Sequence, residues 1–349
     1  MSEDNNQVPS ALVAVGTKAL AVRSENLIKR GLALAKSLQP GDAGEHYNSE
    51  TLQELKATLC LQPGYAGEHY TLGKALYDKE DIDGAIAEYR EALRLNPEFA
   101  GAHCNLGNAL YDKGDVDGAI AEYREAVRLN PNDENAHFHL GFALVDKDNW
   151  DGATFELREA LRLNPNFEAA HYLLAFLLGL MGNRDGQITE YREALRLGPE
   201  NYDAHLNLGL ALNEEGDWNG ATAEFREALR LSPLNPDNHR AHVEIALALA
   251  AKGDTDGEIA EVREALRLKP NHDGRHVLLG AALRLKGELD GAIAECREAV
   301  RLNPDNAMAH NHLGLDLENR GDRQGALEQY RAAYILDPKN ATYKHRSLP

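Results

Sequence analysis

The sequence predicts an all-α solenoid of stacked antiparallel helix pairs, on three observations. Prolines 63, 97, 131, 165, 199 and 233 stand 34 residues apart, as do prolines 236, 270, 304 and 338; a fixed period of that size marks a stacked array. Two stretches within each period carry apolar residues at helical spacing. The composition, 43% hydrophobic and only 6% aromatic, is rich in the good helix formers Ala, Leu, Glu and Arg.

Residues 66 to 99 show what one period encodes. Tyr70, Leu72, Gly73, Leu76 and Tyr77 share one helical face, and Ala85, Ile86, Tyr89, Ala92, Leu93 and Leu95 share another. We term these helices A and B. Between them Gly114, Gly216, Gly253, Gly287 and Gly321 suit the left-handed residue that ends a helix. Asp115, Asp217, Asp254 and Asp322 follow as N-caps for helix B. The proline after each "RLN" then ends helix B. Small residues recur where the two helices must touch: Gly73, Gly107, Gly141, Gly209, Gly280 and Gly314 in helix A, and Ala85, Ala119, Ala153, Ala221 and Ala292 in helix B.

The pair Leu72-Gly73 followed by Ala85, Tyr89, Ala92 and Pro97 resembles the tetratricopeptide repeat pattern. It recurs at 100–133, 134–167, 168–201, 202–235, 239–272, 273–306 and 307–340. The resemblance implies a right-handed superhelical solenoid. It divides the chain into an acidic tail plus degenerate repeat over 1–42, a truncated repeat over 43–65, five repeats over 66–235, an insertion at 236–238, three repeats over 239–340 and a tail over 341–349. The longer connection "LSPLNPDNH" at 231–239 is expected to be the weakest joint, because coupling between neighbours sets cohesion in such arrays.

In the family, helix A lines the concave face. Carried onto this chain, that makes Tyr70, Tyr77, Asn105, Asn108, Tyr111, Phe138, Phe142, Tyr172, Phe176, Leu206, Asn207 and Leu210 the candidate partner-binding residues, with Val243 and Leu247 continuing the apolar run. Such a strip suits an extended or helical peptide. Burial of the same side chains between repeats is the competing reading. The family's clamp for chaperone C-termini is not reproduced, since no repeat places Lys at the fifth position. The asparagine ladder of the family's N-acetylglucosamine transferase is not reproduced either.

A formal charge of -19 disfavours nucleic acid and anionic lipid and favours a basic partner. The turns between helices A and B carry about -11 of it; helix capping and a docking strip both account for that excess. A histidine opens the fourth position of every full repeat, from His69 to His310. Equivalent residues in stacked helices lie about 10 Å apart, too far to share a metal, so packing between repeats is expected and no metal or cofactor. His239 and His242 are better spaced but lack a third ligand. The three cysteines, 60, 104 and 296, form no CxxC pair. With an acidic start and no apolar run of membrane length, they predict a cytoplasmic chain.

No phosphate loop, paired carboxylates or nucleophile beside a base is present in the sequence, so a non-catalytic scaffold is expected. Two rivals stand beside it: a regulator of an enzyme encoded elsewhere, and a self-assembling solenoid. For the latter, "KNATYKHRSLP" looks too short to cover Leu327, Tyr330 and Tyr334, leaving an open end for a homo-oligomer.

Overall fold

The computed structural model describes residues 64–235 and 237–347. The degenerate and truncated repeats expected before residue 64 lie outside them. Every regular element described is an α-helix. The chain divides into two compact units, Met1–Leu197 and Gly198–Pro349.

The first unit holds four helix pairs: α1 (Ala66–Tyr77) with α2 (Ile82–Leu95), α3 (Ala100–Asp112) with α4 (Val116–Leu129), α5 (Glu134–Val145) with α6 (Trp150–Leu163), and α7 (Glu168–Leu180) with α8 (Arg184–Leu197). Each pair packs closely, and each second helix packs on the first helix of the next pair. The second unit continues with α9 (Tyr202–Glu215) and α10 (Trp218–Leu231), α11 (Asn238–Ala251) and α12 (Thr255–Leu268), α13 (Asp273–Lys286) and α14 (Leu289–Leu302), and α15 (Ala307–Asn319) and α16 (Arg323–Leu336). It closes on the short α17 (Ala341–Arg346).

The turn chemistry follows the sequence. Gly114 takes φ +91°, and its N–H and that of Asp115 bond back to the carbonyls of Tyr111 and Leu110 at 2.9 Å. The Asp115 carboxylate then accepts the Gly118 N–H, also at 2.9 Å, and so caps α4. Glu80 and Asp148 hold the same left-handed position in the first and third repeats, without the glycine that relieves it elsewhere. Helix B buries a stripe such as Ala85, Ile86, Tyr89 and Ala92, and shows water its Arg and Glu residues, paired three apart as in Arg94 with Glu91.

Around the 231–239 connection α10 meets α11 directly, the Asn238 amide donates to the Ser232 carbonyl at 2.8 Å, and the Asp237 N–H donates to Asn235 Oδ1 at 2.9 Å. The boundary between units falls at Leu197/Gly198. The C-terminal residues are not too short to cover α16. Asn340 caps α17 by accepting from the N–H groups of Thr342 and Tyr343. α17 packs on α16, Arg346 sits 5.8 Å from the centre of the Tyr330 ring, and Tyr330 is buried.

Candidate partner-binding site

In the first unit the candidate side chains of α1, α3 and α5 meet in a lattice that runs from repeat to repeat. The Asn105 amide donates to the Tyr70 hydroxyl at 3.0 Å, and Tyr70 also lies 4.7 Å from the Phe99 ring. Tyr77 donates its hydroxyl to Asp112, and Tyr111 donates to Asp146. Both bonds cross 35 residues, one period plus one. Asn108 accepts from the Tyr123 hydroxyl at 2.8 Å. The Tyr111 ring stands edge-on to Phe142 at 5.3 Å. Burial, and then the neighbouring carboxylates, hold the Tyr77 and Tyr111 phenols above their ordinary range, so they remain donors.

Burial sorts these candidates. Phe138 is 1% exposed, and Phe142 and Tyr172 are buried with it. Phe138 packs on Phe167 at 4.8 Å, and Tyr172 packs edge-on to Tyr191 at 5.6 Å. α5 is buried along the whole of Ala136–Val145, which accounts for the core placement of Phe138 and Phe142. A partner therefore meets no exposed ring at these three positions. Tyr70, Tyr77, Asn105, Asn108, Tyr111 and Phe176 are half-buried. In the second unit Leu206 and Leu210 lie one turn apart on α9 and are half-buried, while Asn207 is buried.

The histidines of the fourth position are polar fasteners. Nδ1 of His103, His137, His171 and His205 lies 2.6 Å from Glu122, Glu156, Glu190 and Glu224 on helix B. Nε2 of each donates to the carbonyl of the proline six residues earlier at 3.1 Å. Packing alone was expected there. The partner carboxylate, nineteen residues on in the first seven full repeats, was a signal available in the sequence, as was the 35-residue spacing of Tyr77 to Asp112.

His239 meets Arg275 at 2.7 Å instead of a metal. Burial and then the Arg275 charge push it down to about 4. Among the described residues no three His, Cys, Asp or Glu side chains cluster to hold a metal ion. Cys104 and Cys296 are buried thiols, and burial pushes Cys104 up to about 12, leaving no thiolate near neutral pH. No described helix is long and apolar enough to cross a membrane.

Helix pairs joined by tight left-handed turns, stacked in each unit, define an α-α solenoid. Tetratricopeptide repeat models match residues 70–134, 181–236 and 215–273 and residues 110–177. A TPR repeat model matches 280–318. The chain belongs to the tetratricopeptide repeat family, a family of scaffolds that bind proteins or peptides and are generally non-catalytic. No curated protein matches it. Among solved structures, the C-terminal part of a TPR repeat-containing protein from Cytophaga hutchinsonii is similar in fold, at 14% identity and a TM-score of 0.59, over 70% of this chain and 98% of that one. MamA is 27% identical over 48% of this chain and 92% of its own, with a TM-score of 0.45. YrrB, described as a TPR protein with an unusual peptide-binding site, is 21% identical over 58% of this chain and 99% of its own, with a TM-score of 0.48.

Proposed function

We propose that the chain is a non-catalytic scaffold that holds a peptide segment of a partner protein along the helix-A face of its first unit. The carrying observation is the half-buried row of Tyr70, Tyr77, Tyr111 and Phe176, edged by the carboxylates that receive the tyrosine hydroxyls, Asp112 and Asp146. Rings in such a row offer contact area at low entropic cost, and the carboxylates with the net charge of -19 favour a segment carrying Lys or Arg. Leu206 and Leu210 offer a smaller apolar strip in the second unit. Screening a displayed peptide library for binders tests this. Lys- or Arg-containing binders should weaken about tenfold or more on Tyr111→Ala with Phe176→Ala at unchanged helicity, and should weaken with added salt. Binders indifferent to both changes would remove this face from consideration.

A second reading, association of copies through the end of the array, is favoured by Ile335, which is 74% exposed on α16. Light scattering of the chain and of Ile335→Glu separates the two readings: a mass that stays monomeric at high concentration removes the second. We place the scaffold in the cytoplasm, consistent with the free thiols of Cys104 and Cys296; cell fractionation that recovers it with secreted proteins would reverse that.

A further inference from the structure

In the repeats containing His137, His171 and His205, one imidazole is held between two hydrogen-bond acceptors. Nε2 faces a proline carbonyl at 3.1 Å and Nδ1 faces a glutamate at 2.6 Å. A carbonyl has no hydrogen to give, so Nε2 carries one. An ionised carboxylate has none either, so the short contact at Nδ1 needs a second proton, held on the ring or shared with the glutamate. A neutral imidazole beside an ionised glutamate leaves two lone pairs opposed. Each ring also joins three pieces of backbone: its own helix A, the helix B of its pair, and the loop closed by the preceding proline.

We propose that these His-Glu-proline contacts are proton-dependent clasps, so that cohesion of the array falls as pH rises from mildly acidic to mildly alkaline. The charged groups facing each ring come from helix B. They are Glu156 and Glu159 for His137, Glu190 and Glu193 for His171, and Glu224 and Glu227 for His205. The second glutamate of each set is bound by an arginine three residues on, at 2.8 to 3.0 Å through Nε. The loops contribute the proline carbonyls.

The Glu156 bond raises the His137 pKa against the lowering effect of burial. At His171 and His205 burial is the largest influence and lowers the value, but the glutamates and the proline carbonyl together outweigh it. A histidine held above its unfolded value of about 6.5 stabilises the fold fully below that pH. The contribution is lost as pH rises through the raised folded value. Contacts within and between repeats add along a one-dimensional array, so modest losses in three repeats act together on its cohesion.

The eighth full repeat supplies an internal control. There His310 Nδ1 faces Gln329 Oε1 at 2.7 Å. A glutamine amide can turn and donate to a neutral imidazole, which satisfies the contact without an added proton.

The test transfers that arrangement. Full-length Glu156→Gln/Glu190→Gln/Glu224→Gln should unfold at a lower temperature than the unaltered chain at pH 6. The gap should close by pH 8.5, because only the unaltered chain loses protons from its clasps. A gap of constant size from pH 6 to 8.5 would overturn the proposal. Nitrogen-15 NMR of the histidine rings in the unaltered chain gives an answer even if the variant does not fold. Both ring nitrogens of His137, His171 and His205 should carry hydrogen at pH 6, with midpoints above about 6.5; neutral tautomers at pH 6 would equally overturn it.

Discussion

Gly107 lies against the ring of Tyr123, so close that a Cβ on Gly107 would stand 2.5 Å from it. The same relation holds for Gly73 with Tyr89, Gly209 with Phe225 and Gly314 with Tyr330. A buried ring has nowhere to withdraw, so Gly107→Ala should cost about 1 to 3 kcal/mol by overpacking, read as a lower urea midpoint. Gly101→Ala, whose new Cβ would meet its nearest atoms at 3.5 Å, should be neutral or stabilising by up to about 1 kcal/mol. Equal effects at the two sites would refute the close-contact account.

Glu80 and Asp148 sit at φ 62° and 54° where the other described repeats place glycine. Side chains in that region cost roughly 1 to 2 kcal/mol. Glu80→Gly and Asp148→Gly should each raise the melting temperature, and Gly114→Ala should lower it. A chain indifferent to all three would show that the turns hold no strain.

Glu258 is only 4% exposed, on the buried face of α12 where other repeats place Ala85, Ala119 and Ala292. Burial pushes its carboxyl up to about 7. Since the folded value is raised, ionisation opposes folding, and the penalty grows as pH rises from the ordinary carboxylate range towards 7. Glu258→Ala should therefore stabilise the chain by about 1 to 3 kcal/mol at pH 8, and by much less at pH 4. Urea titrations at the two pH values measure this; a larger gain at pH 4 would reverse the sign of the argument.

Phe138→Ala should act on folding, not on partner recognition. Emptying a fully buried aromatic site costs about 3 to 5 kcal/mol. Phe155, 62% exposed on α6, should tolerate Ser within about 0.5 kcal/mol. Loss of partner binding in Phe138→Ala at unchanged stability would return that ring to the recognition face.

The helix pairs and their turns are legible in the sequence because both rest on local chemistry. The left-handed glycines, the aspartate caps and the helix-ending prolines each act within a few residues. The candidate site is less legible, because it depends on what neighbouring repeats do to one face. Phe138 and Phe176 both belong to the apolar helix-A run, yet Phe138 is buried against Phe167 and Phe176 is half-open. The covering of Tyr330 is also non-local. A proline-terminated tail gives little sign that six residues will coil, or that Arg346 will settle over an aromatic ring.

The bonds from Tyr77 to Asp112 and from Tyr111 to Asp146 have one further consequence, which concerns copy number. Each spans one period plus one residue, and the ion pairs of Lys113 with Asp83 and Lys147 with Asp117 span 30 residues. Excising residues 100–133 would bring Asp146 opposite Tyr77 and Lys147 opposite Asp83, restoring both contacts with new partners of the same type. Recombination between misaligned copies of the coding sequence would then yield a shorter or longer product with matched seams, and the per-residue ellipticity of the excised chain should equal that of its parent.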